Sequence, residues 1–287
     1  MDVSVLGAGR VGTGLAVRLR RAGHRIVAAS GRDETRRRVR SYLGGVPFLP
    51  ETEAARRGEV VLIATPDDAI ATVCDAIVSD GGVTTGSVVA HVSGATGLGA
   101  LGSASAIGAT VLSLHPLQTF PDVDSAIERL GGCPVAVTAD TDAGRAIGER
   151  LAIDAGGVPF ALADEAKPLY HAAAVFASNY LVTITALARD AAAAARLEDP
   201  IGLFAPLQAT TLANLRAMGP EAALTGPAVR GDAGTIARHL EALSTFLPDA
   251  VAPYAALARS ALDVAARGGR LGPDRRAVVE EVLGRWT

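Results

Sequence analysis

The sequence predicts an α/β fold, a doubly wound, mostly parallel sheet with helices on both faces, followed by an all-α domain. Three observations predict it. A β-branched strand starting at Val3 runs into Gly7-x-Gly9-x-x-Gly12 and then straight into an Ala/Leu/Val helical pattern. Short apolar strand patterns alternate with helical ones as far as Leu162, which implies parallel strands covered on both faces. From Asp164 onward strand signals cease and Ala/Leu-rich helical stretches replace them. Residues 1–163 are therefore expected to form the first domain and 164–287 the second.

The elements follow in order. In the first turn Gly7 permits the tight bend, Gly9 lets backbone approach a pyrophosphate, and Gly12 allows close helix–strand packing. Arg10 and Val11 open the helix, whose positive end faces the phosphates. This strand–Gly-x-Gly-x-x-Gly–helix context is the Rossmann dinucleotide fingerprint. The helix stops at Gly23-His24, and the second strand is Arg25 to Ser30. An NAD site carries an acid about twenty residues past the glycines. Here the strand ends Ser30-Gly31-Arg32, a hydroxyl and a guanidinium suited to a 2′-phosphate, so NADP(H) is expected over NAD. Asp33 stays open as a ribose ligand, and Arg36, Arg37 and Arg38 are expected to be a solvated face. Further strands are Glu59–Thr65, Ser87–Ser93, Thr110–His115, Cys133–Thr138 and Gly157–Leu162. Ligands of such sheets sit beyond the carboxyl ends of the strands, which points to Thr65-Pro66, Ser93-Gly94 and His115-Pro116. The helical half reads as Glu165–Arg196, Pro200–Ala217, Ala233–Phe246, Pro248–Arg267 and Pro273–Trp286, its first helix apolar nearly all round.

Composition narrows the function classes. The 287 residues suffice for two cores, and a net charge of −3 with 4% aromatics offers no nucleic-acid footprint. No membrane span is expected. The first strand starts at the N-terminus without room for a secretory signal, so a cytoplasmic protein with reduced Cys74 and Cys133 is expected. The two cysteines lack metal-ligand spacing, and no metal site is expected.

Two sets of residues can carry chemistry. Lys167, the sole lysine, lies with His171, Ser178 and Asn179 at helical offsets that share one stripe, and polar groups on an apolar helix need partners or a cleft. His115 and Ser93 fall at strand ends on the ligand side, where a histidine can move the proton that accompanies hydride transfer. Ser93 can hold a substrate oxygen beside Gly94, and His91, deeper in its strand, reads as a buried histidine. In the loop Leu224–Asp232, Asp232 is placed to cap the next helix, and Arg230 can clamp a carboxylate.

At these residues the sequence resembles the bacterial NADP-dependent oxidoreductases that join a Rossmann-like domain to a helical domain of unknown function, within the 6-phosphogluconate dehydrogenase-like superfamily. The segments carrying the resemblance are Gly7–Gly12, His91–Gly94, His115–Phe120, Tyr170–Asn179 and Thr225–Asp232. The resemblance implies a 6-phosphogluconate dehydrogenase C-terminal-like second domain and NADP(H) as cofactor. Ser93 and His115-Pro116 also look like the serine and catalytic histidine of prephenate dehydrogenases. Asn179 matches the second asparagine of the ketopantoate reductase helix, but His171 stands in the place of that family's lysine and Val175 in that of its first asparagine. β-Hydroxyacid dehydrogenases and pyrroline-5-carboxylate reductases share the two-domain plan.

The expected function is hydride transfer between NADPH and the C=O or C=N carbon of a small carboxylate. His115 or His171 would supply the proton, Arg230 or Lys167 would hold the carboxylate, and Ser178 would line the cleft. Two alternatives remain. One is a non-catalytic NADP(H)-binding regulator or redox sensor, which has no obvious use for two cleft histidines. The other is a deazaflavin as hydride partner, which needs a wide flat pocket. An apolar thirty-residue helix suggests a homodimer through the helical domain.

Overall fold

The computed structural model describes residues 1–286. All seven expected strands form: β1 (Asp2–Leu6), β2 (Arg25–Ser30), β3 (Val60–Ile63), β4 (Val88–His91), β5 (Thr110–Pro116), β6 (Pro134–Ala139) and β7 (Val158–Ala161). They make one sheet in the order β2-β1-β3-β4-β5-β6-β7. Strands β1 to β5 run parallel, β6 pairs antiparallel with β5, and β7 follows β6 in parallel. The chain steps from β1 out to β2 and then returns to β3 on the other side. That reversal makes the end of β1 the switch point, the usual ligand crevice of such sheets.

Alternating residues of the inner strands feed two separate cores. Val3 and Val5 of β1, Val60 and Leu62 of β3, and Leu112 and Leu114 of β5 pack on one face. Leu6, Val61, Ile63, Val89 and Val111 pack on the other. Both faces are thus dry, which is why these strands read as continuous apolar runs. The helices of this half are α1 (Arg10–Arg21), α2 (Asp33–Tyr42), α3 (Glu51–Ala55), α4 (Ile70–Ser79), α5 (Gly102–Ala106), α6 (Val123–Arg129), α7 (Asp142–Asp154) and α8 (Lys167–Ala177).

The chain divides into two compact units, Met1–Ser178 and Asn179–Thr287. The change from strands to helices places a border at 163/164; packing places it fifteen residues later, because α8 belongs to the sheet unit. The second unit comprises α9 (Asn179–Ala194), α10 (Pro200–Ala223), α11 (Pro227–Arg230), α12 (Ala233–Phe246), α13 (Val251–Arg267) and α14 (Pro273–Gly284). Its core is built from α11 to α14, with Val229, Ile236, Leu240, Leu262, Val279 and Leu283 at the centre.

Three expectations need correction here. The single helix from Glu165 to Arg196 is two helices, broken at Ser178, whose backbone (φ −124°, ψ −67°) leaves the helical region. Burial of that apolar stretch does not follow within the unit either. Helix α9 buries only Ala192 and α10 buries none of its 24 residues, leaving Val182, Leu203, Leu207 and Leu212 half or more exposed. The stretch Asp164–Ala194 is also, by length and a mean hydropathy of 1.3, apolar enough to cross a membrane, contrary to the expectation of no such segment. Its first half is nevertheless held to the sheet by the buried Lys167.

Gly7 carries φ +82°, and a Cβ there would stand 2.7 Å from the Thr65 backbone nitrogen. Gly7→Ala is therefore expected to destabilise the protein by about 1–3 kcal/mol from the backbone conformation alone, with the clash in addition. Thermal unfolding of the variant against the wild type measures it.

Candidate active site

The chemistry-bearing residues of the sheet unit gather at the carboxyl edge of β4 and β5. His91 pairs in register with Ser113, and Ser113 and His115 share a face of β5 because strand side chains alternate. Helix α8 lies against this edge and presents Lys167, Tyr170 and His171, at offsets 0, 3 and 4, along one stripe. Asp164, in the short turn before α8, fixes the helix start by accepting the backbone N–H of Leu98 at 2.8 Å.

Lys167 is fully buried. Its Nζ donates to the Ser93 carbonyl at 3.0 Å and to the Ser113 hydroxyl at 2.8 Å. The Ser113 hydroxyl in turn donates to the same Ser93 carbonyl at 3.2 Å. No carboxylate touches the ammonium among the described residues; burial holds its pKa down to about 8, with Asp164 and Asp67 pulling it back up from a distance. Lys167 thus cannot serve as the carboxylate anchor that the sequence suggested. Its charge is occupied in joining α8 to two strand ends.

Ser93 is drawn into the turn after β4. Its Oγ accepts from the backbone N–H groups of Ala95 (3.2 Å) and Thr96 (3.0 Å), which leaves its own proton to donate. The Ser93 N–H donates to His91 Nδ1 at 3.2 Å. His91 is buried, as expected, with no hydrogen-bond partner on Nε2. Burial first, and the Lys167 charge second, push its pKa down to about 3.

His115 takes the exposed side of this cluster. The Tyr170 hydroxyl lies 2.8 Å from its Nδ1, and the two rings meet edge to face with centroids 5.6 Å apart. The His171 ring centroid is 6.1 Å away. Both imidazoles overhang Gly94: a Cβ there would stand 2.8 Å from His115 Nε2 and 2.8 Å from His171 Cδ2. Burial, then Lys167 and His171, lower the His115 pKa to about 4, so it is neutral at physiological pH. Tyr170 joins the stripe of Lys167 three residues on, a helical spacing that the sequence itself offers as its signal.

The glycine loop forms at the same edge, at the end of β1. Gly7 and Ala8 donate to the Ser30 carbonyl, each at 3.0 Å, tying the loop to β2. A Cβ on Gly12 would lie 2.8 Å from the Gly7 carbonyl and 2.9 Å from the Ala64 Cβ, so the helix packs as the motif requires. At Gly9 the same Cβ would meet nothing nearer than 3.8 Å, leaving open space above the loop. Arg10 is exposed and Val11 half-buried at the start of α1, whose end no side chain caps. Thr65, followed by the exposed Pro66, keeps a buried hydroxyl without a partner. An open cradle, uncapped N–H groups and an orphaned hydroxyl fit a bound phosphate diester.

Beyond the loop, a cleft of about 340 Å³ is lined by Ser30, Gly31, Asp33, Arg36, Phe48 and neighbouring residues. Ser30 is buried in its wall. Arg32 points outward, its side chain 84% exposed and paired with Glu34 at 2.9 Å. The expectation of a solvated face for Arg36 to Arg38 is corrected in part. The Arg36 guanidinium stacks over the Phe48 ring at 4.6 Å from its centroid, and Arg38 donates to the Ala8 carbonyl at 3.2 Å. Both lie one or more helical turns beyond Arg32, so α2 turns them back toward the loop.

The remaining expected residues fall at or beyond the end of α8. Ser178 ends α8, half-buried. Asn179 begins α9 in the second unit and is exposed. Arg230 ends α11, exposed, with its guanidinium 3.8 Å from Asp232, and Asp232 caps α12 as expected by accepting the Thr235 N–H.

Residues 1–116 match the Rossmann-like domain, and residues 133–261 match a domain of unknown function, DUF2520. The chain joins a Rossmann-like domain to a DUF2520 domain. Solved structures resemble the fold of this chain over nearly its whole length. BF3122 from Bacteroides fragilis, described as a candidate NADP oxidoreductase, is 24% identical with a TM-score of 0.78, covering 91% of this chain and 98% of that one. Protein TM1727 from Thermotoga maritima is 23% identical with a TM-score of 0.69, covering 94% and 100%. An imine reductase from Myxococcus stipitatus in complex with NADP+ is 15% identical with a TM-score of 0.66, covering 100% and 99%. No curated protein matches the chain in sequence.

A buried lysine with a lowered pKa has a defined linkage sign. The unfolded chain binds more protons than the folded one between about pH 8 and the ordinary lysine value of 10.5, so this group makes stability rise with pH across that window. Lys167→Met is expected to flatten that rise, which paired thermal melts from pH 8 to 10 would show.

Proposed function

We propose that this protein is an NADP-dependent oxidoreductase that moves hydride between NADPH and the C=O or C=N carbon of a small carboxylate. The observation that carries the reading is the order of strand ends. Gly7 follows β1, Thr65 follows β3, Gly94 follows β4, and His115 ends β5, and these four strands are parallel neighbours. At about 4.8 Å per strand, the phosphate loop and the imidazole pair stand about 14 Å apart along one edge. A dinucleotide laid along that edge, phosphates at Gly7 to Gly12, brings its reactive end toward His115.

In this reading the dinucleotide supplies hydride, and the chain supplies everything else. The loop amides and the α1 terminus hold the pyrophosphate; Ser30, Arg32 and Arg36 meet the adenosine 2′-phosphate. Ser93 donates to a substrate oxygen, and His115 or His171 delivers the proton at the heteroatom. Gly94, lacking a side chain, lets both imidazoles pack closely against the turn after β4. NADP(H)-linked relatives of the same fold support this cofactor, among them a Plasmodium falciparum pyrroline carboxylate reductase with NADP bound.

We further propose a homodimer through the second unit. Helix α10, kinked at Gly219 and with Pro206 inside its longer part, buries no residue, so its apolar face calls for a cover. A second copy of the chain is the partner always present with it.

Isothermal titration should give tighter binding for NADPH than for NADH, and the reverse order overturns the cofactor assignment. His115→Ala is expected to keep NADPH affinity and lose about 10²–10⁴-fold in turnover against a panel of 2-oxo acids and cyclic imines. Near-full turnover in both His115→Ala and His171→Ala rejects the proton-donor role. Sedimentation should show a dimer that Leu207→Glu with Leu212→Glu converts to monomer.

A further inference from the structure

The contact between Tyr170 and His115 has no place in the reading above. A neutral imidazole carries one proton, on Nδ1 or on Nε2, and the partner of one nitrogen decides which. Here the Tyr170 oxygen lies 2.8 Å from Nδ1. Two arrangements satisfy that distance. In one the phenol donates to Nδ1 and Nε2 bears the hydrogen; in the other Nδ1–H donates to the phenol oxygen and Nε2 is a bare acceptor.

The surroundings separate them. The Tyr170 ring is clamped between His115 and Phe160, whose ring centroid is 6.0 Å away. No other hydrogen-bond acceptor is in range of its hydroxyl among the described residues, so only the first arrangement gives the half-buried O–H a partner inside the protein. Burial pushes the Tyr170 pKa up to about 12, so that proton stays in place at neutral pH. The other imidazole nitrogen, Nε2, overhangs Gly94 and faces His171.

We propose that Tyr170 is a positioning residue that locks His115 as the Nε2–H tautomer, presenting a neutral hydrogen-bond donor to the substrate heteroatom. This rests on the oxidoreductase reading and deepens it by assigning the reducing direction to the resting site. As the substrate carbon gains hydride from NADPH, its C=O or C=N π electron pair moves to the heteroatom. The Nε2 proton passes to that heteroatom, and the phenol proton moves to Nδ1. The imidazole stays neutral throughout, and the tyrosinate left behind regains a proton from solvent.

The test needs neither cofactor nor substrate. Nitrogen-15 NMR of uniformly labelled protein at pH 7 should show His115 with a protonated Nε2 and a bare Nδ1. Tyr170→Phe, which removes one oxygen and keeps the ring, should shift His115 to a mixture of tautomers while His91 is unchanged. A wild-type His115 carrying its proton on Nδ1, or an Nε2–H tautomer that persists fully in Tyr170→Phe, overturns the proposal. Because the tautomer is read in the free protein, its failure is distinct from failure of the oxidoreductase reading, which shows as absent NADPH consumption. With a turned-over substrate, Tyr170→Phe should lower kcat about tenfold or more and leave NADPH affinity as it was.

Discussion

One buried ammonium group organises the carboxyl edge of this sheet. Lys167 is enclosed with no carboxylate in contact among the described residues, and an isolated charge in such a place costs several kcal/mol unless hydrogen bonds replace its water. The Ser93 carbonyl and the Ser113 hydroxyl supply that replacement. They come from the ends of two different strands, so satisfying the lysine also fixes the spacing of β4 and β5 at their functional end. Burial first, and this charge after it, make protonation of His91 and His115 unfavourable. A pair of histidines that would each titrate near neutrality in water is thereby kept uncharged at the place where proton transfer is proposed.

The glycine loop and the histidine edge answer different physical demands on one scaffold. The loop has to let backbone come close to an anion, so it dispenses with side chains at Gly7, Gly9 and Gly12 and leaves helix amides uncapped. The histidine edge has to exclude water from ionisable groups, so it is roofed by α8 and floored by the apolar core beneath β4 and β5. Parallel strand direction puts both at the same end of the sheet without any further device. The reversal of β6 relative to β5 ends that run of aligned strand ends immediately after His115.

Much of this was legible from residues alone. Every strand of the sheet was visible, because strands buried on both faces leave uninterrupted apolar runs between turn residues. Asp232 was legible as a cap because the side-chain oxygen of such a residue is needed one position before a helix. His91 was legible as buried by its depth in the strand. What stayed hidden depended on contacts distant in sequence. The role of Lys167 is set by strand ends more than fifty residues upstream, and nothing local distinguishes a lysine that reaches a ligand from one that reaches a carbonyl. Arg36 and Arg38 looked like a solvated face because a run of arginines has no period; only the path of α2 returns them to Phe48 and Ala8. The break at Ser178 carries no glycine or proline to announce it.

That break bears on how the chain can be recombined. The DUF2520 match begins at Cys133, the strands end at Ala161, and the compact units part after Ser178, so three natural-looking joints compete. A chimera spliced at the first or second would import a foreign α8, setting another protein's side chains against the Ser93 and Ser113 oxygens and stripping His115 of its phenol. Splicing after Ser178 transplants the helical unit and leaves the ammonium, the imidazoles and their anchors in the hands of the original sheet. The module that carries the buried ammonium and the imidazoles therefore ends one helix later than the visible change of architecture.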